Sequence, residues 1–176
     1  MKILFTLLLA LIAFTGTIQA QKTYATRNGK ISFISTDDDD IQAVNNEVTS
    51  RLAAAGDISF SLLMKGFRFE SQEMQDHFNN TYLESDKYPR ADFKGSILNN
   101  REVNYAKNGF YPVTVKGVLT IHGVSQEMTT KGELTIKDGK PGVMAKFRIT
   151  LEQFHITGGL LKAITKGVNI TVDCHY

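Results

Sequence analysis

The chain has 176 residues, 42% hydrophobic and 22% charged, which fits one soluble globular domain. Its formal charge is +2, or +1 without residues 1–20, where 19 basic and 18 acidic residues remain. No run of Lys and Arg occurs, so there is no electrostatic case for nucleic-acid binding or for a polybasic membrane-surface segment.

The N-terminal stretch MKILFTLLLALIAFTGTIQA carries Lys2, an apolar run from Ile3 to Phe14, and small or polar residues ending in Ala20. This is the three-part layout of a secretory signal peptide. The apolar run is about twelve residues, and a membrane span needs roughly twenty. Cleavage is expected after Ala20, although Ile18 at the third position before the cut is less usual than alanine. No cysteine near the cut invites a lipid anchor, and no later segment is long and apolar enough to span. Residues 21–176 are therefore expected as one exported domain, periplasmic or secreted, without a transmembrane segment. Its single cysteine, Cys174, cannot form an internal disulfide, so the domain must rely on its core.

Beyond residue 21 the pattern has period two, the mark of strands with one buried face. KTYATRNGKISFIST reads as two strands around Asn28-Gly29, a hairpin signal because both residues tolerate positive φ. Strand character resumes from Ile41 to Leu52 with poor alternation. The following strands put Ile58, Phe60, Leu62 and Met64 on one face, then Ala91, Phe93, Gly95 and Ile97. Val113, Val115, Gly117, Leu119 and Ile121 share the next face, and Met128, Thr130, Gly132, Leu134 and Ile136 the one after. Ala145, Phe147, Ile149 and Leu151 follow, and Val168, Ile170, Val172, Cys174 and Tyr176 close the series. Turns are expected at Gly123 and at Asp138-Gly139.

One helix interrupts these strands. Ser71 to Ser85 opens on a serine and repeats Met74, Phe78 and Tyr82 at a spacing of four, an apolar stripe for the sheet. Pro89 ends it, because the residue before proline avoids the helical region. A second short helix fits residues 158–166.

About eight strands with one apolar face each cannot be covered by two helices. The expected fold is all-β, an antiparallel up-and-down barrel. Gly95, Gly117, Gly132 and Ala145 lie in the apolar phase. They either leave room for a ligand inside an eight-stranded barrel or mark bends that help the sheet curl.

Catalytic signals are weak. His122 ends an alternating run before Gly123 and reads as part of a tight reversal; no nucleophile-elbow pattern accompanies it. His77, His155 and His175 are isolated, with no metal-ligand spacing. Asp37–Asp40 lacks the central glycine and closing glutamate of a calcium loop and reads as a solvated turn. Asn79-Asn80-Thr81 and Asn169-Ile170-Thr171 match the glycosylation sequon, a short pattern common by chance.

Three stretches resemble a known family: VKGVLTIHGVSQEM, ESDKYPRADFKGS, and the F-x-F-x-S-x-x-M-x-x-H-F pattern from Phe67 to Phe78. Together they are similar to the YceI-like family of exported lipid- or polyisoprenoid-binding proteins, in the expected order over residues 21–176. The resemblance implies a lipocalin-like barrel with a long isoprenoid chain in its pore, and it supplies no catalytic residues. AVNNEVTSRLAAAGD is more polar than a pore strand of that kind.

The leading expectation is a non-catalytic container for a long apolar lipid, such as an isoprenoid or isoprenoid quinone, with no other cofactor. The pore candidates are Phe60, Leu62, Met64, Phe93, Ile97, Gly117, Leu119, Gly132, Leu134, Phe147 and Ile149. Met74, Phe78 and Tyr82 would form a wall or lid. Two alternatives stand beside it. One is an enzyme acting on a lipid-like substrate through Tyr82, His77 and His155; the other is an envelope stress or partner-binding protein with a filled barrel. A homodimer is compatible with the sequence, which does not set the number of copies.

Overall fold

Alternation becomes eight strands in a computed structural model that describes residues 22–157 and 165–176. The expected signal peptide, and residues 158–164 of the expected second helix, lie outside the described residues. The strands are β1 (Thr23–Ser35), β2 (Gln42–Ala53), β3 (Asp57–Leu63), β4 (Arg90–Ile97), β5 (Gly109–Ile121), β6 (Val124–Lys137), β7 (Lys140–Thr150) and β8 (Gly167–His175). Each pairs antiparallel with the next, and β1 pairs with β8 from Lys30–Asp173 to Ser35–Val168, closing the barrel. Closure leaves no sheet edge that needs protection.

The inward phases of β3 to β8 are those expected from alternation. The first two strands differ. Asn28-Gly29 is not a turn: β1 runs straight through it. Ser50 pairs with Thr26 and Val48 with Gly29, so β1 holds one extra residue there. Between Val48–Gly29 and Asn45–Ile31 the extra residue lies on β2 instead. Two opposed bulges thus compensate, and the one on β2 accounts for its poor alternation. Ala43 and Asn45 point inward before it, and Val48, Ser50 and Leu52 after it. Gly29 serves close approach: a Cβ there would stand 2.5 Å from Cys174 Sγ.

Above this bulge β2 separates from β3, whose ladder with it covers only four pairs. Asn45, fully buried, spans the gap by donating from Nδ2 to the Leu63 carbonyl at 3.0 Å and accepting from Glu47 N at 2.9 Å. A single antiparallel bridge between Val44 and Arg68 fills the rest of it.

The helix, α1, spans Gln72 to Tyr82, shorter than expected at its C-terminal end. Ser71 Oγ accepts from Met74 N at 3.4 Å, so the serine that opens the segment caps the helix. Its last five residues are π-wound, so the apolar stripe continues round a wider turn.

His122 (φ 53°) and Gly123 (φ 74°) form the β5–β6 hairpin turn, and Asp138 and Gly139 (φ 52° and 73°) the β6–β7 turn. Two successive positive φ values are the signature of the turn that matches strand twist. A Cβ on Gly123 would also stand 2.7 Å from Tyr88 Cε1. Gly123→Val is therefore expected to cost about 2 kcal/mol, from backbone strain and the clash together. Denaturant melts of both proteins check this, and equal midpoints would show the position is unstrained.

At the same end of the barrel, Asp37 Oδ2 accepts from Lys166 N at 2.8 Å and from the hydroxyls of Thr36 and Thr165 at 2.9 and 3.3 Å. The Lys166 amide, followed by the Thr36 hydroxyl, holds this carboxyl below its ordinary value. A depressed folded value contributes stability that is present at neutral pH and lost as pH falls through it. The Tm gap between the parent and Asp37→Asn should accordingly be widest near neutrality and narrow below about pH 4. A gap independent of pH would show that the carboxylate's charge is immaterial.

Candidate functional site

Inward side chains of one phase behave differently along the barrel axis. In one half they are tightly buried: Leu134 is 0%, Ile136 2% and Val143 5% exposed. These pack with Leu52, Ile58, Ile97 and Val113 into a solid core. The far end is shut by tyrosines: Tyr24 stacks on Tyr105 at 6.0 Å, and Tyr176 Oη meets Ser50 Oγ at 2.5 Å. Burial lifts the Tyr105 phenol to about 12 and raises Tyr176 as well.

In the other half, inward residues such as Met128, Thr130, Ala145, Phe147 and Ile170 remain half-exposed. What they face is an apolar cavity of about 290 Å³, near the lower end of the roughly 300–1,000 Å³ usual for ligand sites. Phe60 and Phe93, 6.1 Å apart, belong to both core clusters, and with Ile58, Val115 and Val143, which also line the cavity, they form the floor above the solid half.

Ten of the fourteen pore candidates line this cavity: Phe60, Leu62, Met64, Met74, Phe78, Tyr82, Phe93, Leu119, Phe147 and Ile149. Four do not. Ile97 and Leu134 point inward but lie below the floor, in the solid half. Gly117 opens no space, because a Cβ there would stand 2.5 Å from Phe93 Cζ and 2.4 Å from the Lys94 carbonyl. It and its partner Gly95 let β4 and β5 approach under the Phe93 ring. Gly132 is likewise blocked, 2.7 Å from the Met144 carbonyl. Of the small residues in the inward phase, Ala91 and Ala145 line the cavity.

Sequence reasoning left Ile31, Phe33, Phe67 and Phe69 out of the wall, where all four stand. Reading Asn28-Gly29 as a turn obscured the first two, although the alternation of KISFI signals an inward face. Phe33 stacks on Phe78 at 5.8 Å and meets Phe67 and Phe69 edge-on at 5.2 and 5.8 Å. The spaced phenylalanines from Phe67 to Phe78 are thus one aromatic cluster, built where β2 parts from β3.

The other two motifs also meet. Tyr88 packs edge-on against His122 at 4.4 Å. His122 Nε2 lies 3.1 Å from Glu84 Oε2, and Nδ1 lies 3.3 Å from the Phe154 carbonyl. The ring therefore ties the β3–β4 segment to the β7–β8 segment across the hairpin turn, a structural clasp.

His77 and Tyr82 both line the cavity, with ring centroids 6.3 Å apart. His155 does not join them; it is an exposed residue at φ 54°. Burial pushes the Cys174 thiol up to about 12, so it behaves as a small core residue. Among the described residues no three of His, Cys, Asp and Glu stand together as metal ligands, and no helix is long and apolar enough to cross a membrane. A groove of about 550 Å³ on the outer surface is lined by Lys30, Ser32, Arg68, Glu70 and Asn169 among others. Phe33, Ile34, Ala43, Val44 and Phe69 stand beside them, so its wall is mixed, unlike the hydrocarbon wall of the cavity.

A search of curated proteins returns no significant match. Solved structures share the fold. Burkholderia cenocepacia BcnA is 17% identical with a TM-score of 0.71, over 84% of this chain and 96% of that one. A polyisoprenoid binding domain from Saccharophagus degradans is 12% identical with a TM-score of 0.76, over 89% and 98%. The Campylobacter jejuni YceI protein is 15% identical with a TM-score of 0.56, over 99% and 98%. The profile of the YceI-like domain matches residues 13–176. With its closed eight-stranded barrel and the profile match across nearly its whole length, the chain belongs to the YceI-like family.

Proposed function

We propose that residues 21–176 form an exported, non-catalytic container for a long apolar lipid of the isoprenoid or isoprenoid-quinone type. The observation that carries this reading is the change from solid to hollow along a single inward phase, with the cavity wall almost wholly hydrocarbon. Likeness in fold to a domain described as polyisoprenoid binding supports the ligand class. The signal-peptide pattern of residues 1–20 supports export to the periplasm or beyond.

Binding proceeds by burial. Each methylene removed from water contributes about 0.8 kcal/mol, so a five-carbon unit contributes roughly 3–4 kcal/mol before the cost of association. The closed floor means that the chain enters tail first and leaves its polar end at the mouth. Mass spectrometry of organic extracts from the natively purified protein should show an isoprenoid alcohol or quinone. Empty extracts, together with no binding of added geranylgeraniol, would end the container reading.

A further inference from the structure

The cavity stops part-way down the barrel. On β5 its wall runs from Ile121 to Val115 and excludes Val113; on β7 it runs from Ile149 to Val143 and excludes Pro141. Each strand thus gives the cavity the same six residue steps. Six steps at about 3.3 Å cover roughly 20 Å of strand, and a strand tilt of about 40° leaves roughly 15 Å along the barrel axis. Below that depth Leu52, Val113, Leu134 and Ile136 are at most 3% exposed, and none of them borders the cavity.

The step from hollow to solid is made at Phe60 and Phe93, whose rings touch both halves. Phe93 is firmly seated. A Cβ on Gly95 or Gly117 would stand 2.8 or 2.5 Å from its Cζ, so the ring occupies space that two side chains would otherwise fill. The interior of an eight-stranded barrel is wide enough for one small ligand, so a tail that reaches this floor has no room to double back.

Resting on the container reading above, we infer that Phe60 and Phe93 set the length of tail that the barrel holds. An isoprene unit adds four carbon–carbon bonds in line, roughly 5 Å when extended. About three to four units therefore fit the depth of the cavity. Each of these leaves water and adds to affinity, whereas a further unit stays outside the barrel, hydrated, and adds nothing. The protein holds shorter tails more weakly and does not distinguish among longer ones.

The test titrates prenyl alcohols of two to six units into delipidated protein, each below its aggregation concentration, by displacement of a fluorescent apolar probe. Affinity should rise about tenfold or more per unit up to the third or fourth, then change by less than about threefold per unit. In the double variant Phe60→Ala, Phe93→Ala the break should move one unit longer. Thr130→Phe adds a ring to the cavity wall beside Val115 and should move it one unit shorter. That change fills space and does not empty it, so it decides the question even where the double variant fails to fold. Ile136→Ala, in the solid half, should leave the break in place. A parental break at any other length, or a rise that continues through six units, would overturn the inference. So would a break that Thr130→Phe leaves in place or that Ile136→Ala moves. Failure of every alcohol in the series to bind would instead remove the container reading on which it rests.

Discussion

Gly117→Val should lower the stability of the barrel by about 3 kcal/mol, with a Tm loss of roughly 6–12 °C. A Cβ at this position would stand 2.4 Å from the Lys94 carbonyl, 2.5 Å from Phe93 Cζ and 2.7 Å from the Gly95 Cα. Two of these three are backbone atoms of a paired strand, which cannot step aside without opening the β4–β5 ladder. Trimming Phe93 to leucine in the same chain should recover only the part of the loss due to the ring. Gly109→Ala is the control: its nearest neighbour is Tyr111 Oη at 3.4 Å, an ordinary contact. That change should be neutral, or stabilising by up to about 1 kcal/mol. A Gly117→Val protein that melts with its parent would refute the close approach beneath Phe93, and with it the cavity floor.

Ala145→Phe should give a folded barrel that comes out empty. Ala145 lines the cavity and is half-exposed to its lumen, so a phenyl ring there takes ligand volume and not packed core. Displacing two or three methylenes of the lipid loses about 1.6–2.4 kcal/mol, a fall in affinity of more than about tenfold. Thermal stability should hold or rise, because the ring fills space that hydrocarbon already surrounds. Gly132→Leu, one strand away, should do the reverse: it meets the Met144 carbonyl at 2.7 Å and should cost stability. The pair of variants therefore separates hollow from solid at neighbouring positions. Lipid content unchanged in a folded Ala145→Phe protein would place the ligand outside the barrel.

The inward phases of β3 to β8 were legible in the sequence because the pleat alternates side chains strictly and one face of each strand must leave water. A spacing of four located the helix and its stripe of Met74, Phe78 and Tyr82. Both tight turns from His122 and Asp138 followed from residues that tolerate positive φ.

Local pattern misread β1 and β2, where two bulges cancel. Asn28-Gly29 carries the chemistry of a turn, but the pairing of β1 with both β2 and β8 holds the chain extended through it. Neither strand reveals its bulge alone, because a bulge is a mismatch between two partners distant in sequence. The meeting of Tyr88 with His122, and of Phe33 with the phenylalanines from Phe67 to Phe78, is equally a product of closure. Glycine in the inward phase was ambiguous between spare room and close approach. Only the positions of Phe93, Lys94 and Met144 decided it, and they decided for close approach at Gly117 and Gly132. Alternation thus determined which side chains face inward. Where the interior is filled and where it is empty depended on height along the barrel axis, which is set by strand stagger between chain segments far apart in sequence.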